Sequence, residues 1–184
     1  MRELSLNILD IAQNSIAAGA SLITIEVAED TAAKELLIRI SDDGCGMTQE
    51  QVSNVLDPFF TTRTTRKVGM GIPLFKLAAE QTGGCLTIES EKGKGTTTAA
   101  LFKTDSIDFT PLGDVTSSVV ILISMNTDRD FIYRRSRDSE SFELSTAEMR
   151  DILGGVPLSE PEVVEWMKDY INEQTNILLG GVTQ

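Results

Sequence analysis

Two glycine-rich stretches punctuate the first half of this chain, and the elements around them leave few folds open. Asp42-Asp43-Gly44-Cys45-Gly46 follows a strand-like run, and Gly69-Met70-Gly71 opens a helical one. Each could be an ordinary turn. The second has a further physical use, because free amides at a helix N-terminus, with its positive dipole end, attract anions, and glycine lets a phosphate approach closely. Pro73 suits that place, since an amide missing from the first turn costs no intrahelical bond and leaves Met70, Gly71 and Ile72 free to donate.

The flanking periodicities set the element order. Leu4, Ile8, Leu9, Ile11, Ala12 and Ile16 recur at helical spacing and Gly19 closes the segment, so residues 4–18 read as an amphipathic helix. Runs 21–28 and 35–41 alternate apolar and polar residues and read as strands. Thr48 with Gln51 has the spacing of a capping box, and the short helix it starts should stop before Asp57-Pro58. Residues 57–68 are polar, rich in threonine and arginine, and without apolar period, which predicts a long loop. Helical spacing resumes from Gly69 through Leu74, Leu77 and Ala78 to Thr82-Gly83-Gly84. Residues 85–90 and 96–103 then flank Glu91-Lys92-Gly93-Lys94-Gly95 as an antiparallel hairpin.

Pro111 and Gly113 break the pattern after Lys103, and a boundary is expected there, with one unit over 1–104 and a second over 105–184. Beyond it the apolar run Val119 to Ile123 reads as a strand. Phe131-Ile132-Tyr133 and Ser141 to Leu144 read as a hairpin around Arg137-Asp138-Ser139-Glu140. Ser145 with Glu148, and Ser159 with Glu162, have capping-box spacing and predict two helices, the second carrying Val163, Trp166, Met167, Tyr170 and Ile171.

Composition narrows the chemistry. With 184 residues and 41% apolar content the chain closes one core and part of another, given domains of about 100 to 150 residues. There is no histidine, so an imidazole zinc site, a Ser/His/Asp triad and a self-phosphorylated histidine are all excluded. The 28 acidic against 16 basic residues leave a net charge of −12, which argues against nucleic acid or an anionic membrane as partner. No apolar run reaches the roughly 20 residues of a membrane span, and Met1-Arg2-Glu3-Leu4 does not begin like a signal peptide, so a cytoplasmic protein is expected. Cys45 and Cys85 lack metal-ligand spacing and read as ordinary thiols.

Taken in order, these elements resemble the GHKL ATP-binding family, which includes histidine kinases, gyrase-type topoisomerases, mismatch-repair ATPases and heat-shock chaperones. Asp10-Ile11-Ala12-Gln13-Asn14 looks like the N box and Asp42 to Gly46 like the DxGxG box. Asp57-Pro58-Phe59-Phe60-Thr61-Thr62-Arg63 looks like the F box and lid, Gly69 to Leu74 like the second glycine box, and Lys94-Gly95-Thr96-Thr97 completes the set. The resemblance covers residues 4–103 and implies a Bergerat-type α/β two-layer sandwich, with helices on one face of a mostly antiparallel sheet, followed by a small C-terminal α+β module.

The implied ligands are ATP and Mg²⁺. By the resemblance Asn14 holds Mg²⁺ through its side-chain oxygen, Asp42 accepts from the exocyclic amine of adenine, and Thr96 assists. Gly44, Gly46, Met47, Gly69, Met70, Gly71 and Ile72 line the nucleotide, and Arg63, Arg66 and Lys67 of the lid face the γ-phosphate. Without the resemblance Asn14 reads as an exposed helix residue, Asp42 as a turn former, and the lid cations as solvated charges. Phe59 and Phe60 would anchor the lid base. Asp10 stands where the family's ATPases carry a glutamate that activates water; it is one methylene shorter, which weakens hydrolysis. The lid is expected to be open without nucleotide and to close on a γ-phosphate.

Three functions remain open. One is an ATP-dependent protein kinase acting in trans, like the compact anti-sigma-factor kinases of this group, handing the γ-phosphoryl to a serine, threonine or histidine of a partner, or a weak ATPase. Another is an ATP-gated interaction protein with little or no catalysis, and the third is a catalytically idle nucleotide sensor or a subunit scaffold. The resemblance also points to an unidentified protein partner, of the redox or hydrogenase-related kind.

Overall fold

The computed structural model describes residues 3–57, 59 and 70–181. Helix α1 (Leu4–Ala17) leads into strands β1 (Leu22–Asp30) and β2 (Glu35–Asp42), followed by α2 (Gln49–Val55) and α3 (Gly71–Gln81). Strands β3 (Cys85–Glu91) and β4 (Gly95–Lys103), helix α4 (Val115–Met125), strands β5 (Asp130–Arg137) and β6 (Glu140–Ser145), and helices α5 (Thr146–Leu153) and α6 (Pro161–Leu178) complete the chain. The six strands form one mixed sheet in the order β3-β4-β2-β1-β5-β6, in which only β1 and β5 run parallel. Helices pack on one face of it, giving the expected two-layer α/β sandwich.

Period-two alternation decides which face is covered. Ile23, Ile25 and Val27 of β1, Leu36, Ile38 and Ile40 of β2, Ala100 and Phe102 of β4, Phe131 and Tyr133 of β5, and Leu144 of β6 turn into the helical layer and are buried. Their neighbours Arg39, Glu26, Arg134 and Glu143 share one row of the opposite face and alternate in charge across four strands. That face is solvated.

The residues expected to form a second unit extend this sheet. β5 lies beside β1 in register from Leu22↔Asp130 to Glu29↔Arg137, and one core cluster runs from Leu4 to Ile171. The connecting stretch is docked: the carbonyls of Pro111 and Leu112 accept from the amides of Leu4 (2.9 Å) and Ser5 (2.8 Å), satisfying first-turn donors of α1 that have no helical partner.

Three local expectations are corrected. The run Val119 to Ile123 is not a strand but the middle of α4. Four- to eight-residue apolar runs do not distinguish a buried strand from a buried helix, and here the start signal was Asp114, whose carboxylate accepts from the Ser117 amide at 2.9 Å and from its hydroxyl at 2.6 Å. Ser145 does precede α5, but its side chain makes no capping bond. Helix α6 starts after Glu160, with Pro161 at its first position, rather than after Ser159. The box at Thr48 and Gln51 does form.

The Asp114 cap yields a prediction. Hydrogen bonds from Ser117 hold its carboxyl below the usual 3.8, so the cap stabilises the fold above that pH and is lost as pH falls through the lowered value. Asp114→Ala should cost about 1 kcal/mol in denaturant unfolding at pH 7, with the gap to the parent narrowing below pH 4.

Candidate functional site

The site is built where the C-terminal end of β2, the middle of α1 and the N-terminus of α3 meet. On α1, the buried stripe Leu4, Ile8, Ile11 and Ser15 faces the sheet, while Asn7, Asp10 and Asn14 lie on the flank toward α3. Gly71, the first residue of α3, approaches Asp10 so closely that a Cβ there would stand 3.2 Å from the aspartate Cβ and 3.7 Å from Oδ2. A side chain larger than hydrogen at residue 71 therefore crowds Asp10. Loss of hydration raises the Asp10 carboxyl above the ordinary 3.8.

Asp42 is the best-fixed acid of the site. Ser15 donates its hydroxyl to Oδ2 at 2.6 Å and the Gly44 amide donates to Oδ1 at 2.9 Å, so both carboxylate oxygens are oriented while each keeps a lone pair free. Ser15 is almost fully buried, and the sequence reading missed it. The signal was available: a hydroxyl on an apolar stripe at helical spacing needs an internal partner. Removing it should let Asp42 rotate, and Ser15→Ala is expected to weaken ATP binding about five- to tenfold, read by calorimetry, with a melting temperature within a few degrees of the parent.

The loop after Asp42 is tied on both sides. Asp43 Oδ1 accepts from the amides of Ser21 (2.7 Å) and Leu22 (2.9 Å), the Cys45 amide donates to Ala18 O at 2.9 Å, and the Gly93 amide donates to Cys45 O at 2.7 Å. Gly46 has φ +65° and lies against the Glu91 carbonyl, where a Cβ would overlap it, so both conformation and space require glycine. The Met47 amide donates to Ser90 Oγ at 2.8 Å, and Ser90 shares a hydrogen bond with the Thr96 hydroxyl at 2.8 Å. Thr96 is the register partner of Asp42 on β4, on the same face. Ser90 was the other residue missed; no spacing rule in the sequence singles it out.

An open cavity of about 320 Å³ adjoins Asp42 and Thr96 and is otherwise lined by the β3–β4 hairpin. At α3 the N-cap residue Met70 supplies no side-chain cap, which leaves the first-turn amides of the helix available to an anion. Pro73 falls in that first turn, as expected. Asn7, one turn before Asp10, is buried with its side-chain amide unpaired among the described residues.

The structure thus brings together Asp10 with Gly71, and Asp42 with Gly44 and Thr96; Asn14 lies one turn beyond Asp10 on the same flank of α1. Arg63, Arg66, Lys67, Gly69 and the lid stretch 60–68, with Phe60, lie outside the described residues.

A mixed sheet covered on one face by helices, with an oriented acid at a strand end and a glycine-opened helix beside α1, is a two-layer α/β domain. Residues 1–106, more than half of the chain, match the family described as histidine kinase-, DNA gyrase B- and HSP90-like ATPase, and the chain belongs to it. It is similar to sporulation kinase E of Bacillus subtilis, 31% identical over 97 residues, covering 52% of this chain and 13% of that protein. It is also similar to the sensor protein SrrB of Staphylococcus aureus, 37% identical over 78 residues, covering 40% and 13%. The chain thus spans about an eighth of these relatives' length. Among solved structures, the ADP-complexed MutL ATPase domain of Aquifex aeolicus shares the fold with a TM-score of 0.50 at 14% identity, covering 84% of this chain and 70% of that one. The family match and the kinase relatives support ATP binding. Among the described residues no helix is long and apolar enough to cross a membrane.

Proposed function

We propose that residues 1–104 carry a nucleotide-binding site that holds ATP with Mg²⁺ and passes its γ-phosphoryl group to a partner protein in trans, residues 105–184 being a module of separate role built onto the same sheet. The observation that carries this reading is the Asp42 carboxylate, held by Ser15 and Gly44 with lone pairs to spare and facing Thr96. An adenine amine would meet a fixed acceptor there, and phosphates reaching the start of α3 would find its free first-turn amides.

The donor set suits Mg²⁺ bound chiefly through phosphate. Among the described residues no group of three or more Cys, Asp or Glu could hold a metal ion, so Asn14 would supply one hard oxygen and phosphates and water the rest. When bound, the ion neutralises phosphate charge. Asp10 is the proposed base: a hydroxyl oxygen of the partner attacks the γ-phosphorus, its proton passes to the Asp10 carboxylate, and the bond to the β-γ bridging oxygen breaks with ADP as leaving group. Arg63, Arg66 and Lys67 would face the γ-phosphate. The partner is a protein, with redox or hydrogenase-related enzymes as the class to test, and the setting is cytoplasmic.

A second reading, ATP-gated interaction with little catalysis, is favoured by Asp10 itself, one methylene shorter than the glutamate expected there. Incubation of the chain and candidate partners with γ-labelled ATP separates the two. Label on the partner supports kinase action, label only in slowly released phosphate supports gating, and absence of any nucleotide retention contradicts both.

A further inference from the structure

Helix α6 lies beyond the residues matched to the ATPase family, and its inner face is accounted for by Val163, Met167 and Ile171 in the core. Its outer face is not. Trp166, the single tryptophan of the chain, is 52% exposed and stacks on Tyr170 with ring centroids 5.3 Å apart and planes within 12°. The platform is backed by further rings: Tyr170 meets Phe142 edge-on at 6.4 Å and Phe142 meets the buried Tyr133 edge-on at 5.9 Å. One face of the indole is covered by Tyr170 and the rest of this large side chain stays in water.

The exposed charges on the outer side of α6 beside the platform are acidic, while the cation Arg135 of β5 sits on the sheet in register with Phe142. Glu162, Glu165, Asp169 and Glu173 are exposed on the same side of α6 at spacings of three, four and seven residues. Glu165, Asp169 and Glu173 form two successive i,i+4 like-charge pairs, an arrangement that destabilises a helix. Among the described residues none of the four makes an ion pair. Lys168, the one cation of the helix, lies on the other flank, where its charge acts on Asp114 of the α4 cap.

We propose that the outer face of α6, centred on Trp166 and Tyr170 and edged by these carboxylates, docks a basic, arginine-bearing segment of a partner protein. A guanidinium can stack on the open indole face while its N–H groups pair with the flanking carboxylates, a combination that neither an acidic nor an apolar segment offers. Nucleic acid and anionic membranes carry the wrong charge. A second copy of the chain is disfavoured for the same reason, since a twofold contact would set each acidic stripe against itself.

Trp166 is its own reporter. A capped peptide with arginines at i, i+4 and i+7, and its lysine and glutamate counterparts, would be titrated into the full chain by calorimetry and tryptophan emission, with the oligomeric state followed by light scattering. The arginine peptide is expected to bind one-to-one with a change in Trp166 emission, more tightly than the lysine peptide, and the glutamate peptide not at all. The combined reversal Glu165→Lys, Asp169→Lys and Glu173→Lys, and separately Trp166→Ala, should each weaken binding at least about tenfold with an unchanged far-UV spectrum. The control reversal Glu50→Lys, Glu80→Lys and Asp108→Lys, equal in charge but on α2, α3 and the stretch before α4, should change it less than about twofold. Equal loss in both reversals, unaltered binding by Trp166→Ala, no binding of the arginine peptide, or self-association abolished by the α6 reversal would each overturn the proposal.

Discussion

Asp10→Asn is expected to lower ATP turnover by about a hundredfold or more while leaving Mg·ATP affinity within about threefold, because an amide keeps the shape of the side chain but takes no proton. The geometry motivates the split. Asp10 stands against Gly71 at the opening of α3, whereas Ser15, further along α1, is the residue that bonds Asp42, so Asp10 can touch the reacting end of a nucleotide without touching its base. Asp10→Glu should raise turnover by restoring the reach of the carboxylate. The pH profile carries a further sign. Burial raises the carboxyl above 3.8, and a base must be ionised, so the rate should fall with pH along an acid limb lying above the ordinary aspartate value. Steady-state rates of the three proteins across pH test this. Equal rates in parent and Asp10→Asn would remove Asp10 from the chemistry.

The largest stability effect should come from Phe102→Ala, at about 3 to 5 kcal/mol, or roughly 10 °C in melting temperature for a chain of this size. Phe102 is fully buried and is the central ring of three, 5.6 Å from Phe75 and 6.3 Å from Phe109. Its loss opens a cavity where β4, α3 and the stretch leading to α4 meet. Because β5 is bonded along the whole of β1, the unfolding seen through Trp166 on α6 should coincide with that seen by far-UV circular dichroism, in parent and variant alike. A separate Trp166 transition would show that residues 105–181 fold as their own unit.

Most of this architecture could be read from residue order because its signals were local. Ile23, Ile25 and Val27, or Leu36, Ile38 and Ile40, alternate cleanly since one face of the sheet is wet, and Gly19 and Thr48 mark helix ends by their own chemistry. What failed to show was set by packing across the chain. Val119-Val120-Ile121-Leu122-Ile123 is rich in β-branched residues and favours a strand locally, but burial of α4 beside α1 and α6 overrides that preference. The parallel pairing of β5 with β1 leaves no mark in either strand, so a break at Pro111 and Gly113 reads as a boundary although the sheet continues past it. At the site, Asp42 and Gly71 stood out through glycine spacing, whereas Ser15 and Ser90 act on partners 27 and 43 residues away and were invisible to any short motif.

ATP binding by this chain is expected to depend on Asp42. Calorimetric titration of Mg·ATP into the parent and into Asp42→Ala tests it most directly, because losing the acceptor leaves an adenine amine unpaired in a desolvated site at a cost of about 1 to 3 kcal/mol. The parent is expected to bind one-to-one in the micromolar range and the variant about one to two orders of magnitude more weakly, with both proteins equally folded. Equal affinities for the two, or no binding by the parent, would contradict this expectation.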